Sequence, residues 1–405
     1  MVHETVVMEG HLIDSDVLRR VFNRIVEDGG EFEVLEFKVG KTNDLPSKAT
    51  LAVSAGDQQA LDRILEQLSY IGASRTVGDA QFAPAEADGI LPDDFYSTTN
   101  FDTLVRVGGN WAEVRDQKMD CALVIRGGAP VCVKQGQVRQ GERVALRGPG
   151  IQVKPPERSR DYSVFGFMSN EISAEVNKGI AIAGTAREMK KTRAAGERIV
   201  VVAGPAIVHS GGDVPLAQLV REGWVDVLLS GNAFATHDLE KAIAGTSLGV
   251  CQMSGRAVEG GSRNHLSAIN AVNRQGGIRA AVESGLVRSG VMYEVVRRGV
   301  PYVLAGSIRD DGPLKDVITD VVQAQKAYAV ALEGAGMCLM LASALHSIAV
   351  GNLLPARVRT VCVDMTESVP VKLGNRGTLQ AIGLVTDVGY FLERLFSELR
   401  RQMGQ

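Results

Sequence analysis

The pattern of apolar and polar positions changes near residue 160, and the two sides of this point predict different architectures. Up to residue 74, apolar residues either alternate with polar ones or recur every three to four positions. This pattern predicts the order strand, helix, strand, strand, helix, with the helices at 15–28 and 57–71. The order is typical of a small α+β regulatory or dimerisation domain, to which we assign residues 1–74.

Residues 75–160 are predicted to contain a linker followed by a β-rich module. Ala, Gly, Pro and Asp cluster at 75–100, as they do in segments that connect domains. From 101 to 154, short apolar runs are interrupted by glycine, which indicates short strands and tight turns, as in a small barrel. A polar segment at 155–161 then precedes the third part of the chain.

From residue 161 to 405, continuous apolar runs alternate with helical segments. Runs without polar alternation predict strands that are buried on both faces, as in a parallel sheet covered by helices. We therefore predict an α/β, doubly wound domain over 161–405. Its predicted strands are 199–204, 225–231, 302–307, 338–343, 360–365 and 381–387, and its predicted helices include 185–195, 214–222, 316–332 and 388–401.

Small or acidic residues follow all six predicted strands. In open parallel sheets, ligands bind beyond the carboxyl ends of the strands, and small residues there let a ligand approach the backbone. Asp364 is the best candidate to accept hydrogen bonds from both hydroxyls of a ribose, although each such Asp could instead cap the following helix. No GxGxxG motif and no Walker motif follows any strand, so the pattern indicates a nucleotide-type site of a variant kind.

Histidine and aspartate residues near these strand ends are the candidates for proton transfer. His237 and Asp238 follow one strand closely and could supply an acid or a base. His346 lies in an apolar run and is interpreted as a core histidine rather than a site residue. No metal-ligand spacing is present, so no metal site is predicted. The remaining candidates are His209, His265, Asp310 and Asp311.

Composition narrows the classes of partner. A net charge of −3, an aromatic fraction of 5% and the absence of a basic stripe argue against nucleic-acid binding. The uncharged stretch 334–356 is long enough to span a bilayer, but it contains His346, Asn352 and Pro355, and we interpret it as a buried strand followed by a helix. Five scattered cysteines without a CxxC motif, and an N-terminus without a signal peptide, fit a cytoplasmic protein.

Nine motifs stand in order along the chain. They are GHLIDS (10–15), FYSTTN (95–100), FGFMS (165–169), VVVAGPAIVH (200–209), LLSGNA (228–233), GTSLGV (245–250), LAGSIRDDGPLKDVITD (304–320), LHSIAVGN (345–352) and GLVTDVG (383–389). Together they resemble the family of the conserved region of bifunctional lysine-oxoglutarate reductase/saccharopine dehydrogenase, which includes archaeal NAD-dependent ornithine cyclodeaminases. The same module forms the second half of cyanobacterial arginine dihydrolase/ornithine cyclodeaminase enzymes.

The resemblance implies a Rossmann-like C-terminal domain that binds NAD and an enzyme that converts ornithine to proline and ammonia. Hydride would pass from the ornithine α-carbon to NAD, the δ-amine would close the ring, and the hydride would return to the cyclic imine. We assign proton transfer to Asp311 and His237. By the family pattern, the cofactor contacts fall on Asn232, Ala233, Asp311, Met340, Leu341, Ala342, Ser343, Asp364, Asp387 and Val388.

Three questions stay open at this point. Another NAD(P)-dependent amino-acid dehydrogenase of the opine or saccharopine type, or a non-catalytic amino-acid or nucleotide sensor, would fit the same pattern. An acid at the ribose position favours NAD over NADP by repelling a 2′-phosphate, but only if Asp364 occupies that position. The assembly is expected to be a homodimer or a homotetramer.

Overall fold

The structure is a computed structural model that describes residues 1–10, 12–13, 17–41, 45–75, 78–154, 178–248, 250–251, 263–310, 312–375 and 381–401. These residues form two compact units. The first holds the chain up to residue 154 together with 354–357, and the second holds 178–353 and 358–401. The segment 354–357 joins the first unit through a hydrogen bond from the Ala356 N–H to the Asn100 carbonyl, at 2.7 Å.

The first unit begins with the predicted α+β arrangement. Its antiparallel sheet has the order β2-β3-β1-β4, and the buried side chains alternate along β3 as the period of a strand requires. Gly72, with φ of +106°, ends the second helix in the left-handed conformation that glycine adopts readily. The elements are β1 (Val2–Gly10), α1 (Val17–Glu27), β2 (Glu31–Lys38), β3 (Ser47–Ala55), α2 (Gln58–Ile71) and β4 (Ser74–Arg75).

The rest of the first unit is β-rich, as predicted, but differs from the prediction in two ways. The segment 75–100 is not a bare linker, because it contributes a strand and buries the side chains of Leu91 and Tyr96. The described strands form two small sheets rather than one continuous barrel, and an isolated bridge between Arg115 and Val131 links the segment after β7 to β9. The strands are β5 (Phe82–Pro84), β6 (Thr103–Val107), β7 (Asn110–Glu113), β8 (Ala122–Arg126), β9 (Ala129–Val133), β10 (Arg143–Ala145) and β11 (Ile151–Val153).

The second unit has the α/β architecture that its apolar runs predict. Its elements in chain order are α3 (Lys178–Ala194), β12 (Arg198–Ala203), α4 (Ala206–His209), α5 (Asp213–Arg221), β13 (Val227–Gly231), α6 (Asn232–Ala244), β14 (Thr246–Ser247), β15 (Val250–Cys251), α7 (Asn264–Gln275), α8 (Ile278–Glu283), α9 (Val291–Arg298), β16 (Tyr302–Ala305), β17 (Val317–Ile318), α10 (Val321–Ala331), β18 (Ala335–Leu341), α11 (Ala344–Gly351), β19 (Arg359–Asp364), α12 (Ser368–Asn375), β20 (Ala381–Val385) and α13 (Val388–Arg401).

The main sheet of the second unit is parallel and has the order β17-β16-β13-β12-β18-β19-β20 among the described strands. The chain winds outward from β12 in one direction and then, after α10, from β18 in the other. The direction therefore reverses between β12 and β18, the position at which doubly wound folds bind dinucleotides. This arrangement confirms the predicted fold class. The division into 1–74, 75–160 and 161–405 stays a prediction.

Register aligns the carboxyl ends of the central strands. Ala203 of β12 pairs with Ser230 of β13 and with Leu341 of β18, and Leu341 pairs in turn with Val363 of β19. The next residue on each strand therefore lies in one row along what we call the carboxyl edge. The row consists of Gly204, Gly231, Ala342 and Asp364.

Candidate active site at the carboxyl edge

Two backbones approach each other closely where the winding reverses. Gly204 donates its N–H to the Leu341 carbonyl at 2.8 Å, and a Cβ at position 204 would overlap the carbonyl oxygen of Ala342. Ala342 itself has φ of +48°, a left-handed conformation that is uncommon and strained for a residue with a Cβ. Backbone strain of this kind concentrates at functional sites. The conformation turns the chain from β18 into α11 directly over the end of β12.

Two helices start at the carboxyl edge without a side-chain cap. Gly231, which has no side chain, precedes α6, and Ser343 precedes α11 without accepting a hydrogen bond from a first-turn backbone N–H. By contrast, Asp320 caps α10, and Asp387 accepts the Tyr390 N–H at the start of α13. Uncapped N-terminal N–H groups, with the positive end of the helix dipole, form a site for anions such as a pyrophosphate. The helix starts at 232–233 and 343–344 therefore suit the cofactor contacts predicted there.

The residues predicted to hold the cofactor differ in how they can reach a ligand. Asn232 uses its Oδ1 to accept the Leu314 N–H at 3.1 Å, which ties the loop after β16 to the edge, while Ala233 is exposed. The Met340 and Leu341 side chains are fully buried within the core, so they position the two residues that follow rather than facing the edge. Val388 is also buried, at the first position of α13.

Asp364 presents a carboxylate oxygen at the edge. Its Oδ1 accepts hydrogen bonds from the Thr366 N–H at 3.0 Å and the Thr366 hydroxyl at 3.2 Å, so part of the carboxylate stabilises its own turn. Its Oδ2 accepts no hydrogen bond from the described residues. Asp364 and Asn232 lie three strands apart, about 14 Å at the usual strand spacing. A dinucleotide can span that distance, with its ribose at Asp364 and its phosphates near the helix starts.

Two aspartates, Asp310 and Asp311, follow β16 closely. Asp311, which we predicted to contact both cofactor and substrate, lies outside the described residues. Asp310 accepts the Ser307 N–H at 2.8 Å and shapes the turn that follows the strand.

Three of the predicted histidines come together on separate helices. The ring centroids of His209 on α4 and His237 on α6 are 5.0 Å apart, and those of His237 and His265 on α7 are 6.4 Å apart. The Ser247 hydroxyl lies 2.8 Å from His209 Nδ1. Burial and the neighbouring His237 lower the pKa of His209, which keeps its imidazole neutral and able to accept a proton. We refer to these three residues as the histidine cluster.

A buried glutamate that the sequence reasoning missed supports this cluster. Glu240, one turn after His237 on α6, has a fully buried side chain. Its Oε2 lies 3.2 Å from His237 Nδ1 and accepts the Leu248 N–H, and its Oε1 accepts the Thr246 hydroxyl at 2.8 Å. A carboxylate at Nδ1 favours the tautomer that carries hydrogen there and leaves Nε2 as a proton acceptor. The i, i+3 spacing of His and Glu on a helix is the signal that could have revealed the pair.

His346 is not the core histidine that its apolar surroundings predict. Its half-buried ring lies over the end of β13, where a Cβ on Gly231 would come within 2.6 Å of Cε1 and 2.8 Å of Nε2. The Ser343 hydroxyl lies 3.1 Å from its Nδ1, and burial lowers the pKa of the imidazole. The glycine at 231 and the i, i+3 pair of Ser343 and His346 were the available signals. His346 therefore borders the carboxyl edge.

Asp238 is structural, which corrects the expectation that it could act as an acid or a base with His237. Its buried carboxylate accepts hydrogen bonds from the backbone N–H groups of Val291 and Met292 at 2.9 and 2.8 Å. Asp238 therefore caps the start of α9, although it belongs to α6. Burial raises the pKa of Asp238 to about 7, although the two backbone N–H groups oppose this shift.

Because the folded-state pKa of Asp238 is raised, its protonation stabilises the fold. That contribution is complete below the unfolded-state pKa of about 4 and is lost as pH rises through about 7. We expect the free energy of unfolding of the native protein to fall over this range relative to the Asp238→Asn variant, which does not titrate. Urea unfolding followed by fluorescence of the buried Trp224 measures the difference. If the free energy of unfolding of the native protein instead rises with pH relative to that of Asp238→Asn, Asp238 is ionised in the folded protein.

The cysteine thiols in the main sheet are buried and poorly reactive. Burial raises the pKa of the thiols of Cys338 and Cys362, which makes them poor nucleophiles. Across the described ranges of the chain, no group of three or more His, Cys, Asp or Glu side chains is arranged to hold a metal ion.

The strand order defines a Rossmann-fold protein, a class whose members commonly bind dinucleotides at the carboxyl ends of their strands. Comparison with known families agrees with this class. Residues 183–395 match the family model described as arginine dihydrolase ArgZ-like, C-terminal, Rossmann fold. Residues 102–182 match the first region of the same C-terminal part, and residues 3–101 match the conserved region of the LOR/SDH bifunctional enzyme. The chain therefore belongs to the ArgZ-like family, and the resemblance drawn from its motifs is confirmed.

Relatives of the chain carry a more specific description. The chain is 49% identical over 393 residues to an ornithine cyclodeaminase of Archaeoglobus fulgidus, with 97% of each protein covered. The apo crystal structure of cyanobacterial ArgZ matches with a TM-score of 0.84 and 40% identity, over 99% of this chain and 59% of that one. The ternary complex of AgrE with ornithine and NAD+ matches with a TM-score of 0.55 and 42% identity, over 100% and 58% of the respective chains.

Proposed function

We propose that this protein is an ornithine cyclodeaminase that uses NAD to convert L-ornithine to L-proline and ammonia. The observation that carries the proposal is the carboxyl edge, where two uncapped helix starts and Asp364 suit a dinucleotide. Ornithine cyclodeaminases that match nearly the whole chain, and the AgrE complex with ornithine and NAD+, support the same activity. Proline biosynthesis within arginine and ornithine metabolism is the role this activity implies.

The residues at the edge fit the cofactor chemically. The N–H groups at the starts of α6 and α11 would hold the pyrophosphate, and Asp364 Oδ2 would accept the ribose hydroxyls. A carboxylate there repels a 2′-phosphate, which favours NAD over NADP. When bound, NAD supplies a reversible hydride acceptor that oxidises the substrate α-carbon and later reduces the cyclic imine, so it is not consumed.

The histidine cluster supplies the proton transfers. Both amines of ornithine are ammonium ions at neutral pH, so a base must take up a proton before either nitrogen reacts. His237 takes this role, because Glu240 fixes its ring and leaves Nε2 as the acceptor. His209, whose imidazole is neutral and only partly buried, links His237 to solvent. Asp311 is the second proposed acid/base group. Asp311, Asp387 and Val388 are also proposed to contact the cofactor.

The decisive experiment is a product balance. Purified protein is incubated with L-ornithine and NAD, and proline, ammonia and NADH absorbance are followed together. Equal amounts of proline and ammonia, with no accumulation of NADH, are expected. Net NADH would instead indicate a dehydrogenase of the opine or saccharopine type. Binding of NAD and ornithine with no product would indicate a sensor.

The cellular setting is part of the proposal. We place the enzyme in the cytoplasm as a homodimer or homotetramer that binds neither nucleic acid nor membrane. Four cysteines, Cys121, Cys132, Cys338 and Cys362, are buried and free, as a reducing compartment allows. Of the helices within the described ranges, none has both the length and the apolar character required to cross a membrane.

Removal of the Asp364 carboxylate tests the ribose assignment. In the Asp364→Ala variant, we expect the Kd for NAD to rise about tenfold or more, since hydrogen bonds to a charged group contribute about 1.5–3 kcal/mol. Titration of intrinsic fluorescence with NAD measures the change. Thr366→Val, which removes a hydroxyl bonded to Asp364 and to the Ser368 hydroxyl but keeps the Asp364 carboxylate, is the control and should bind NAD almost normally. Unchanged affinity in Asp364→Ala would exclude Asp364 from the ribose site.

A further inference from the structure

An open cavity away from the carboxyl edge is lined by the end of α5, the loop before α9 and α9 itself. Its volume is about 570 Å³, and its lining includes Arg221, Arg288, Arg297 and Arg298. Arg297 and Arg298 are the last two residues of α9, which leads through Gly299–Pro301 into the start of β16. This end of the cavity therefore lies towards the amino ends of the strands, opposite the proposed cofactor site.

Positive charge in this cavity is mostly uncompensated. Of its four arginines, only Arg221 is paired with a carboxylate in the described part of the chain. The Arg221 guanidinium donates to Glu294 Oε1 at 2.6 and 3.1 Å. Arg288 uses Nε to bond the Gly285 carbonyl, and Arg297 lies 6.0 Å from the centre of the Tyr293 ring. An excess of three positive charges thus lines one concave surface of a protein whose net charge is −3.

Guanidinium groups in a concavity are well suited to phosphate. Each presents parallel N–H groups that match two phosphate oxygens, and Arg is weakly hydrated compared with Lys. The Ser289 hydroxyl lines the same cavity and offers a further donor. A volume near 570 Å³ lies in the range of sites for small molecules. We propose that this cavity binds a phosphorylated small molecule through a pyrophosphate group, whose charge matches the three unpaired arginines.

The test uses inorganic pyrophosphate as the probe and the full chain saturated with NAD, so that the dinucleotide site is filled. Isothermal titration at low ionic strength compares the native protein with R297A/R298A. The control is R400A/R401A, which removes the two arginine side chains that end α13. Arg400 lies 5.7 Å from the centre of the Phe396 ring, and Arg401 pairs with Glu398. We expect one equivalent to bind, R297A/R298A to weaken binding at least tenfold, and the control to stay within twofold of the native affinity.

Three results would overturn the proposal. They are the absence of binding to native protein at millimolar pyrophosphate, an equal loss of affinity in the two double variants, and no loss in R297A/R298A. Thermal melting checks that the variants fold. If R297A/R298A melts early, Arg288→Ala replaces it, because Arg288 lies in the loop before α9 and is exposed. Native-like affinity in Arg288→Ala would then contradict the proposal.

Discussion

Replacement of Gly204 by alanine is expected to weaken dinucleotide binding strongly. The added Cβ would overlap the Ala342 carbonyl, which is main chain and already held in a strained left-handed conformation. The overlap can be relieved only by separating the end of β12 from the turn into α11, where the winding of the sheet reverses. Overpacking of this kind costs about 1–3 kcal/mol of stability. We expect the Kd for NAD to rise more than tenfold, measured by fluorescence titration.

The matched control is Gly136→Ala, where an added Cβ meets no atom within 4 Å and φ is not positive. It reports the general effect of replacing glycine by alanine, which acts through the unfolded chain. NAD affinity should be unchanged in this variant. If Gly204→Ala binds NAD as tightly as Gly136→Ala does, the close approach of the two backbones has no role in the cofactor site.

The location of the edge could be predicted because parallel strands place their carboxyl ends together. Six apolar runs indicated the strands, and register then brings Gly204, Gly231, Ala342 and Asp364 into one row. The boundaries were less accurate. A helix was predicted from 316, but Val317 and Ile318 pair with β16, and α10 begins only after Asp320 caps it. Apolar pattern alone does not separate a short strand from the first turn of a helix.

The chemistry around the edge was harder to predict, because side-chain direction depends on tertiary packing. His237 and Asp238 are neighbours in sequence, yet successive helical residues point about 100° apart. His237 therefore faces the histidine cluster, while Asp238 faces α9 and caps it. His209 and His265 each lie 28 residues from His237, and no local spacing signals that α4, α6 and α7 bring them together.

Loss of the His237 imidazole is expected to stop turnover while leaving cofactor binding intact. In His237→Asn, no group at this position can take up a proton near neutral pH. General acid–base catalysis contributes about 10²–10⁴-fold, and we expect kcat for proline formation to fall by that factor. The Kd for NAD should stay within about twofold, because His237 is not among the residues proposed to hold NAD, although Asn232 and Ala233 at the start of the same helix are. Steady-state kinetics and NAD titration on the same preparation measure both quantities.

Two further variants separate catalysis by His237 from a structural role. His3→Asn replaces an exposed histidine in β1 and should retain full activity. Glu240→Gln keeps a side chain of the same size, but its amide can also donate, so it no longer enforces the tautomer with Nε2 free. We expect a smaller fall in kcat and a displaced acid limb of the pH profile in Glu240→Gln. A pH profile identical to that of the native enzyme would mean that Glu240 only supports the fold. Substantial activity in His237→Asn would mean that another group acts as the general base. His209 and Asp311 would then be the next residues to test.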